Sequence, residues 1–207
     1  MTTLRRVIWV GVDDTSRVDQ AVFAMGSTSM HAIGSAQGRD FSSSWELDVA
    51  DGWITRALHV TTRGFGWARS LELTRSDTGE WGSVATAEGA VDLPAPGLAD
   101  PGSVHGALDC DLGLCPVTNT MPIRRLSLLD QDVDETHLVM AWVDVPSLRV
   151  TRSDQAYTSG PAGDRTRIHY GSVNGQFAAQ LTVDLDGVVV DYPTLARRSD
   201  IPFPPRP

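Results

Sequence analysis

Two carboxylates stand two residues apart at Asp109 and Asp111, and Asn119, Thr120, Arg124 and Arg125 follow close behind. On a strand, positions i and i+2 share a face, so the two aspartates sit on one side. Paired carboxylates can divide general acid and base work when their surroundings drive their pKa values apart. A glycosidase, however, needs them facing each other across a cleft, and neighbours on one strand do not supply that. An arginine-paired structural role is the competing reading. If their segment is extended, Arg124 and Arg125 point to opposite faces, and one can reach a barrel mouth. Its planar fork would grip a phosphate, carboxylate or sugar hydroxyl there. Alternatively, both pair with Asp109, Asp111 or Asp144 while Asn119 and Thr120 hydrogen-bond a turn.

Other chemistries find little support. Cys110 and Cys115 form a lone C-x4-C without further ligands, a poor zinc pattern, and read as buried thiols. The histidines at 31, 59, 105, 137 and 169 show neither H-x-H nor H-x3-H spacing. His169 could act as a base, but no nucleophile is nominated beside it. No phosphate loop, G-x-S-x-G elbow or H-E-x-x-H helix is present, so neither metal nor cofactor is expected. A net charge of -9, with Arg and no Lys among the cations, disfavours nucleic acid and anionic membrane surfaces. The apolar run Val7–Val12 meets Asp13 and Asp14 too early for a signal peptide. No stretch approaches the roughly 20 apolar residues of a membrane helix. The expectation is a cytoplasmic protein with reduced cysteines.

The elements that must carry these residues are strands. Trp45, Leu47 and Val49 alternate with Glu46 and Asp48, Ala50-Asp51-Gly52 turns the chain, and the return run places Ile54, Leu58 and Val60 on one face. Further turns fall at Gly79, Asn174-Gly175 and Asp186-Gly187, and such alternating runs between Asp/Gly turns mark an antiparallel sheet. The segments Ile123–Leu129 and His137–Val145 read as another hairpin. Within the latter, Leu138–Val143 is apolar on both faces, which puts Trp142 at the buried centre of the sheet. Residues 85–106 read as one long loop, Pro193 opens a short helix to Arg198, and residues 1–6 and 200–207 read as extended tails. With 41% hydrophobic residues and six Trp, one domain over residues 1–207 can bury a sizeable core.

The segment Asp109-Cys-Asp-Leu-Gly-Leu-Cys-Pro-Val-Thr-Asn-Thr-Met-Pro-Ile-Arg-Arg-Leu126 resembles the signature of a glycolipid-binding family. Ala141–Leu148, Gln155–Thr158 and Asp186–Pro193 match its later landmarks in order. Residues 105–198 carry the likeness well and residues 40–82 more loosely. Cys115 departs from the usual Thr, and the first forty residues match poorly. The resemblance implies a curved antiparallel sheet similar to bacterial lipoprotein carriers, whose half-barrels enclose acyl chains.

The expected fold is therefore mainly β: a curved antiparallel sheet forming a barrel or half-barrel, with short helices near 116–124 and 192–199. The expected partner is a lipid-like, glycolipid-like or other amphipathic small molecule in an apolar lumen. Candidate ligand-binding residues are Asp111, Asn119, Arg124, Arg125, Trp45, Trp67, Trp142, Tyr157 and Tyr192. Trp53, Trp81, Phe65 and Phe177 are further rings that either line a cavity or pack a core. A small-barrel enzyme, a cyclase or isomerase, is the rival, favoured if Asp111, Arg124, Tyr157 and Tyr192 make the lumen polar. A third possibility is an interaction domain using an open sheet edge.

Overall fold

The computed structural model describes residues 3–172 and 177–200. Among the described residues, fifteen strands account for 55% and make one sheet. The first seven form an up-and-down meander: β1 (Thr3–Gly11), β2 (Val18–Met25), β3 (Met30–Gln37), β4 (Phe41–Ala50), β5 (Ile54–Gly64), β6 (Trp67–Arg75) and β7 (Trp81–Gly89). After β8 (Gly97–Leu98) and β9 (Asp109–Leu112) comes a 3-10 turn, Pro116–Asn119. It runs straight into the only α-helix among the described residues, α1 (Thr120–Arg125). Then follow β10 (Thr136–Val143), β11 (Arg149–Thr158), β12 (Arg167–Ser172), β13 (Phe177–Val183), β14 (Val189–Tyr192) and β15 (Ala196–Arg198). Strand β15 pairs with β1, so the order runs from β7 through β1 and β15 to β10 and β9.

The sheet is open, because β7 and β9 end the order without pairing each other. It is nevertheless curled. Thr55 of β5 donates its N–H to the Leu108 carbonyl at 3.0 Å, and its hydroxyl accepts from Cys110 N at 3.0 Å. Strands distant in the order therefore touch, which a flat sheet forbids. The half-barrel expectation thus fits and the closed barrel does not.

The turns expected at Gly52, Gly79 and Gly187 are all present, each glycine at positive φ. Positive φ costs glycine nothing. The Asn174-Gly175 turn lies outside the described residues. A bulge corrects one face assignment. Asp48 pairs with Ala57 but Val49 pairs with Thr55, so Arg56 is the extra residue. A bulge resets the period-2 alternation. Thr55, not Ile54, joins Leu58 and Val60 on the buried face.

Five other expectations are overturned. Residues 123–129 are not a strand; β10 pairs with β11 and, in parallel, with β9. The long loop is shorter than its composition implied, because β7 runs to Gly89, β8 pairs in parallel with β11 and Pro101–Val104 forms a 3-10 turn. Pro193 opens a tight turn with Thr194 at φ 70°, not a helix, and β15 follows. Thr3–Arg6 are no loose tail, since they pair with Phe23, Ala24, Met25 and Val22 of β2. Finally, the interior is filled. Leu47, Leu58, Leu73, Met121 and Ile123 expose 0% of their surface, leaving no water-sized void against them. Met121 of the helix and the inward rows of β1–β7 pack into one buried cluster.

Candidate functional site

Several pockets open on the surface, and the one that gathers most of the candidate residues is a pocket of about 190 Å³ at one end of the sheet. Four strands and their exits converge on it. Strand β9 and the loop after it bring Asp111 to Cys115, β10 and its exit bring Trp142, Asp144 and Val145, and β12, β14 and the turn after β14 bring Tyr170, Tyr192 and Leu195. Asn119 closes the floor from the 3-10 turn. The parallel register places Trp142 directly beside Asp111, so one pairing fixes the ring next to the carboxylate.

Asp111 is held at both oxygens. Thr118 Oγ1 donates to Oδ1 at 2.9 Å and Gln155 Nε2 donates to Oδ2 at 2.7 Å. A carboxylate has about four lone-pair sites, so acceptor capacity is left for a guest. Burial pushes the Asp111 carboxyl above the usual carboxylate range, against the lowering effect of those two hydrogen bonds. Tyr157 supports the floor from behind, its hydroxyl donating to Asn119 Oδ1 at 3.0 Å and to Gln155 Oε1 at 3.4 Å. The rings of Tyr170 and Tyr192 meet edge to face at 5.9 Å, and Tyr157 lies 5.2 Å from Tyr170. Burial, then the Asp111 charge, raises the Tyr170 phenol, so it stays a neutral hydroxyl.

Two non-glycine residues flank this pocket in the left-handed region, Leu114 at φ 64° and Thr194 at φ 70°. Such a backbone costs on the order of 1–3 kcal/mol per residue and collects at functional sites. Thr194 is β-branched, the residue type least suited to positive φ. Its position is fixed from outside: Asp13 N donates to the Thr194 carbonyl at 3.2 Å, and Val12 N to the Leu195 carbonyl at 3.1 Å. The Arg17 guanidinium also donates to the Leu195 carbonyl, at 2.6 Å, while pairing with buried Asp19 at 3.0 Å.

Of the nine candidates, Asp111, Asn119, Trp142 and Tyr192 line this pocket and Tyr157 hydrogen-bonds its floor. Trp142 is half-buried on the pocket wall, which corrects the expectation of full burial: one of its faces looks onto the opening. The arginines stand elsewhere, because their segment is helical rather than extended. Arg125 clamps Asp109 through both guanidinium nitrogens at 2.5 Å and donates to the Trp53 carbonyl at 3.0 Å. Arg124 stacks over the Trp53 ring, 5.4 Å from its centroid. Trp45 packs over Gly34 and Trp67 over Gly64, where a Cβ would come within 2.2 and 2.3 Å of the rings. Neither lines the Asp111 pocket.

Sequence reasoning missed Gln155, Thr118 and Tyr170 as site residues. Gln155 and Tyr157 stand at i and i+2 on β11, and Tyr170 pairs with Tyr157 across to β12. That cross-strand register reveals Gln155 and Tyr170, whereas Thr118 reaches Asp111 from the 3-10 turn. Cys115 lines the pocket but its thiol is pushed up by burial, and burial raises Cys110 to about 12, so neither is a thiolate at neutral pH. Among the described residues no cluster of His, Cys, Asp and Glu could hold a metal, and no helix is long and apolar enough to cross a membrane.

The family described as "Putative glycolipid-binding" matches residues 6–198, which spans every element of the site. The chain belongs to that family. The match begins at residue 6, so residues 6–40 lie within the matched span. The fold is also similar to the crystal structure of a DUF1089 family protein from Pseudomonas aeruginosa, with a TM-score of 0.65 and 25% identity. That likeness covers 87% of this chain and 92% of the other. No curated protein matches the chain.

Proposed function

We propose that this glycolipid-binding family member holds an amphipathic, glycolipid-like molecule by its polar headgroup, seated in the Asp111 pocket. The observation that carries the reading is the combination of a doubly anchored carboxylate with the walls of Trp142, Tyr170 and Tyr192. Aromatic faces suit the C–H side of a sugar ring, while a carboxylate and an amide accept and donate to its hydroxyls. Pockets of this mixed kind orient ligands with a few placed polar groups. About 190 Å³ is below the ~300–1,000 Å³ of pockets for drug-sized ligands, so a single headgroup fits and the acyl part stays outside.

The test is calorimetry with an alkyl glycoside below its critical micelle concentration. Asp111→Asn keeps the shape and removes the charge. Affinity should fall by about 1.5–3 kcal/mol, the range for a hydrogen bond to a charged group. Equal affinity in the folded variant would refute the pocket assignment.

A second reading has its own support. Asp111, Tyr157 and Tyr192 converge as an enzyme would require, although Arg124 does not join them. A buried carboxyl with a raised pKa beside neutral phenols is suited to proton transfer. Native mass spectrometry separates the two readings: a carrier returns its guest unchanged, whereas an enzyme alters its mass or isomeric form.

A further inference from the structure

We infer that the β5–β6 hairpin tip is a docking point for an uncharged or zwitterionic lipid bilayer. Phe65 stands at this tip with its side chain fully in solvent, at 104% of the reference exposure. It is followed by Gly66 at φ 77°, the positive φ that a tight turn requires. A lone exposed apolar residue is ordinary, but this one is not alone. Half-buried Trp67 lies just behind it, packed on Gly64, and half-buried Phe41 is the cross-strand partner of Gly64. Arg63 is exposed one step further back, and Arg39 is exposed in the neighbouring β3–β4 turn. Within the hairpin the order from the tip inward is an apolar wedge, aromatic flanks, then a long cation, the sequence of groups that suits a membrane interface. The fully exposed Phe65 side chain can enter a fluid surface without needing a matching cavity.

The register ties the tip to the pocket. Val10 faces Val18, Val18 faces Gln37, Gln37 faces Ser42, Ser42 faces Arg63, and Arg63 faces Ala68. That row is one end of the sheet, and Gly11 of the same end pairs with Ala196, next to the pocket residue Leu195. Thr62 Oγ1, three residues before Phe65, donates to the Pro146 carbonyl at 2.9 Å, on the loop that carries Asp144 and Val145 into the pocket wall. A bilayer meeting Phe65 therefore meets the end of the molecule where the headgroup pocket lies.

Charge selects the lipid. Asp13, Asp14, Asp40, Glu88 and Asp92 share this end with Arg39 and Arg63, and the whole chain carries -9. Anionic headgroups are repelled, and what drives docking is apolar burial.

The experiment is flotation of the full chain with phosphatidylcholine vesicles, with no added glycolipid. The wild type should float with the vesicles, and Phe65→Ser should lower the partition coefficient about tenfold, the loss expected when one Phe no longer inserts. Ile33→Ser, which removes an exposed apolar group from the sheet's outer face, should leave partition unchanged. Vesicles of phosphatidylglycerol should bind less protein than phosphatidylcholine. Absence of wild-type flotation, equal flotation of Phe65→Ser, or a wild-type dimer that Phe65→Ser splits in sedimentation would each overturn the inference. Headgroup affinity is read by calorimetry in vesicle-free solution, so failure of the pocket and failure of the docking tip show up in different measurements.

Discussion

Removing the Arg125 side chain should destabilise the fold strongly while leaving the Asp111 pocket intact. Asp109 exposes 1% of its surface and receives both Arg125 nitrogens at 2.5 Å. Burial raises the Asp109 carboxyl more than Arg125 lowers it, so the pair balances a large desolvation penalty against close attraction. Arg125→Ala leaves that penalty uncompensated. Breaking one side of a buried ion pair costs about 3–5 kcal/mol. The Trp53 carbonyl also loses its donor, within the same figure. For a chain of this size each kcal/mol moves the melting temperature by about 2–4 °C, which gives a fall of roughly 6–20 °C.

Urea unfolding followed by Trp fluorescence measures this directly. Acid should relieve the variant. Asp109 without its cation holds its proton to higher pH, so the gap between variant and wild type should narrow between pH 7 and pH 5. The double variant Asp109→Leu/Arg125→Met removes both charges and should recover most of the loss, because an apolar pair of similar volume is often neutral or better. A loss below 1 kcal/mol for Arg125→Ala, or a double variant weaker than the single, would refute the clamp. If Arg125→Ala instead kept its stability and lost alkyl-glycoside affinity, the arginine would belong to the ligand site.

Two further outcomes follow from the pocket end. Burial raises the Asp19 carboxyl to about 6 in spite of Arg17, so the stability of its neutral form is complete below the unfolded value of about 3.9 and is lost as pH rises through 6. Relative to wild type, Asp19→Asn should therefore gain up to about 3 kcal/mol between pH 4 and pH 7 by urea titration; a pH-independent difference would show that Asp19 does not titrate there. Trp142→Ala should cost about half the 3–5 kcal/mol of a fully buried Trp, and Trp9→Ala the full amount, since Trp9 is 1% exposed and donates to the Val189 carbonyl at 2.9 Å. Equal denaturation midpoints for the two variants would contradict the half-buried wall position.

How far the sequence could be read depended on whether the signal was local. The hairpins at Gly52, Gly79 and Gly187 were legible because turn chemistry and alternation both lie within ten residues. The bulge at Arg56 was not, since it shows only as a slip against β4. Residues 123–129 carry a strand-like apolar run, but that run packs a helix and its exit into the sheet, and burial alone does not distinguish the two. The strand β15 was hidden because three residues after a proline hold no periodicity, and only their pairing with β1 and β14 defines them. Asp111 and Trp142 were each visible as candidates, yet nothing local said that a parallel pairing would set them side by side. The arginine pair misled for the same reason: the residues were right for a ligand, but a buried aspartate and the Trp53 carbonyl were nearer.

The filled interior changes where an amphipathic guest can sit. An acyl chain threaded through the sheet would have to displace Leu58, Leu73 and Met121, each fully buried, and leaving such cavities open costs several kcal/mol per side chain. The pocket at the sheet end needs no displacement. It already presents an anchored carboxylate, three rings and the strained Thr194, whose turn is held by Val12, Asp13 and Arg17 from the neighbouring strand turn. Seating only the headgroup leaves the acyl chain in need of cover from another source. On the proposed reading, a bilayer met by Phe65 at the same end would supply that cover and the lipid would be recognised without extraction, so acyl length should have little influence on affinity measured at vesicles, whereas the sugar should decide it.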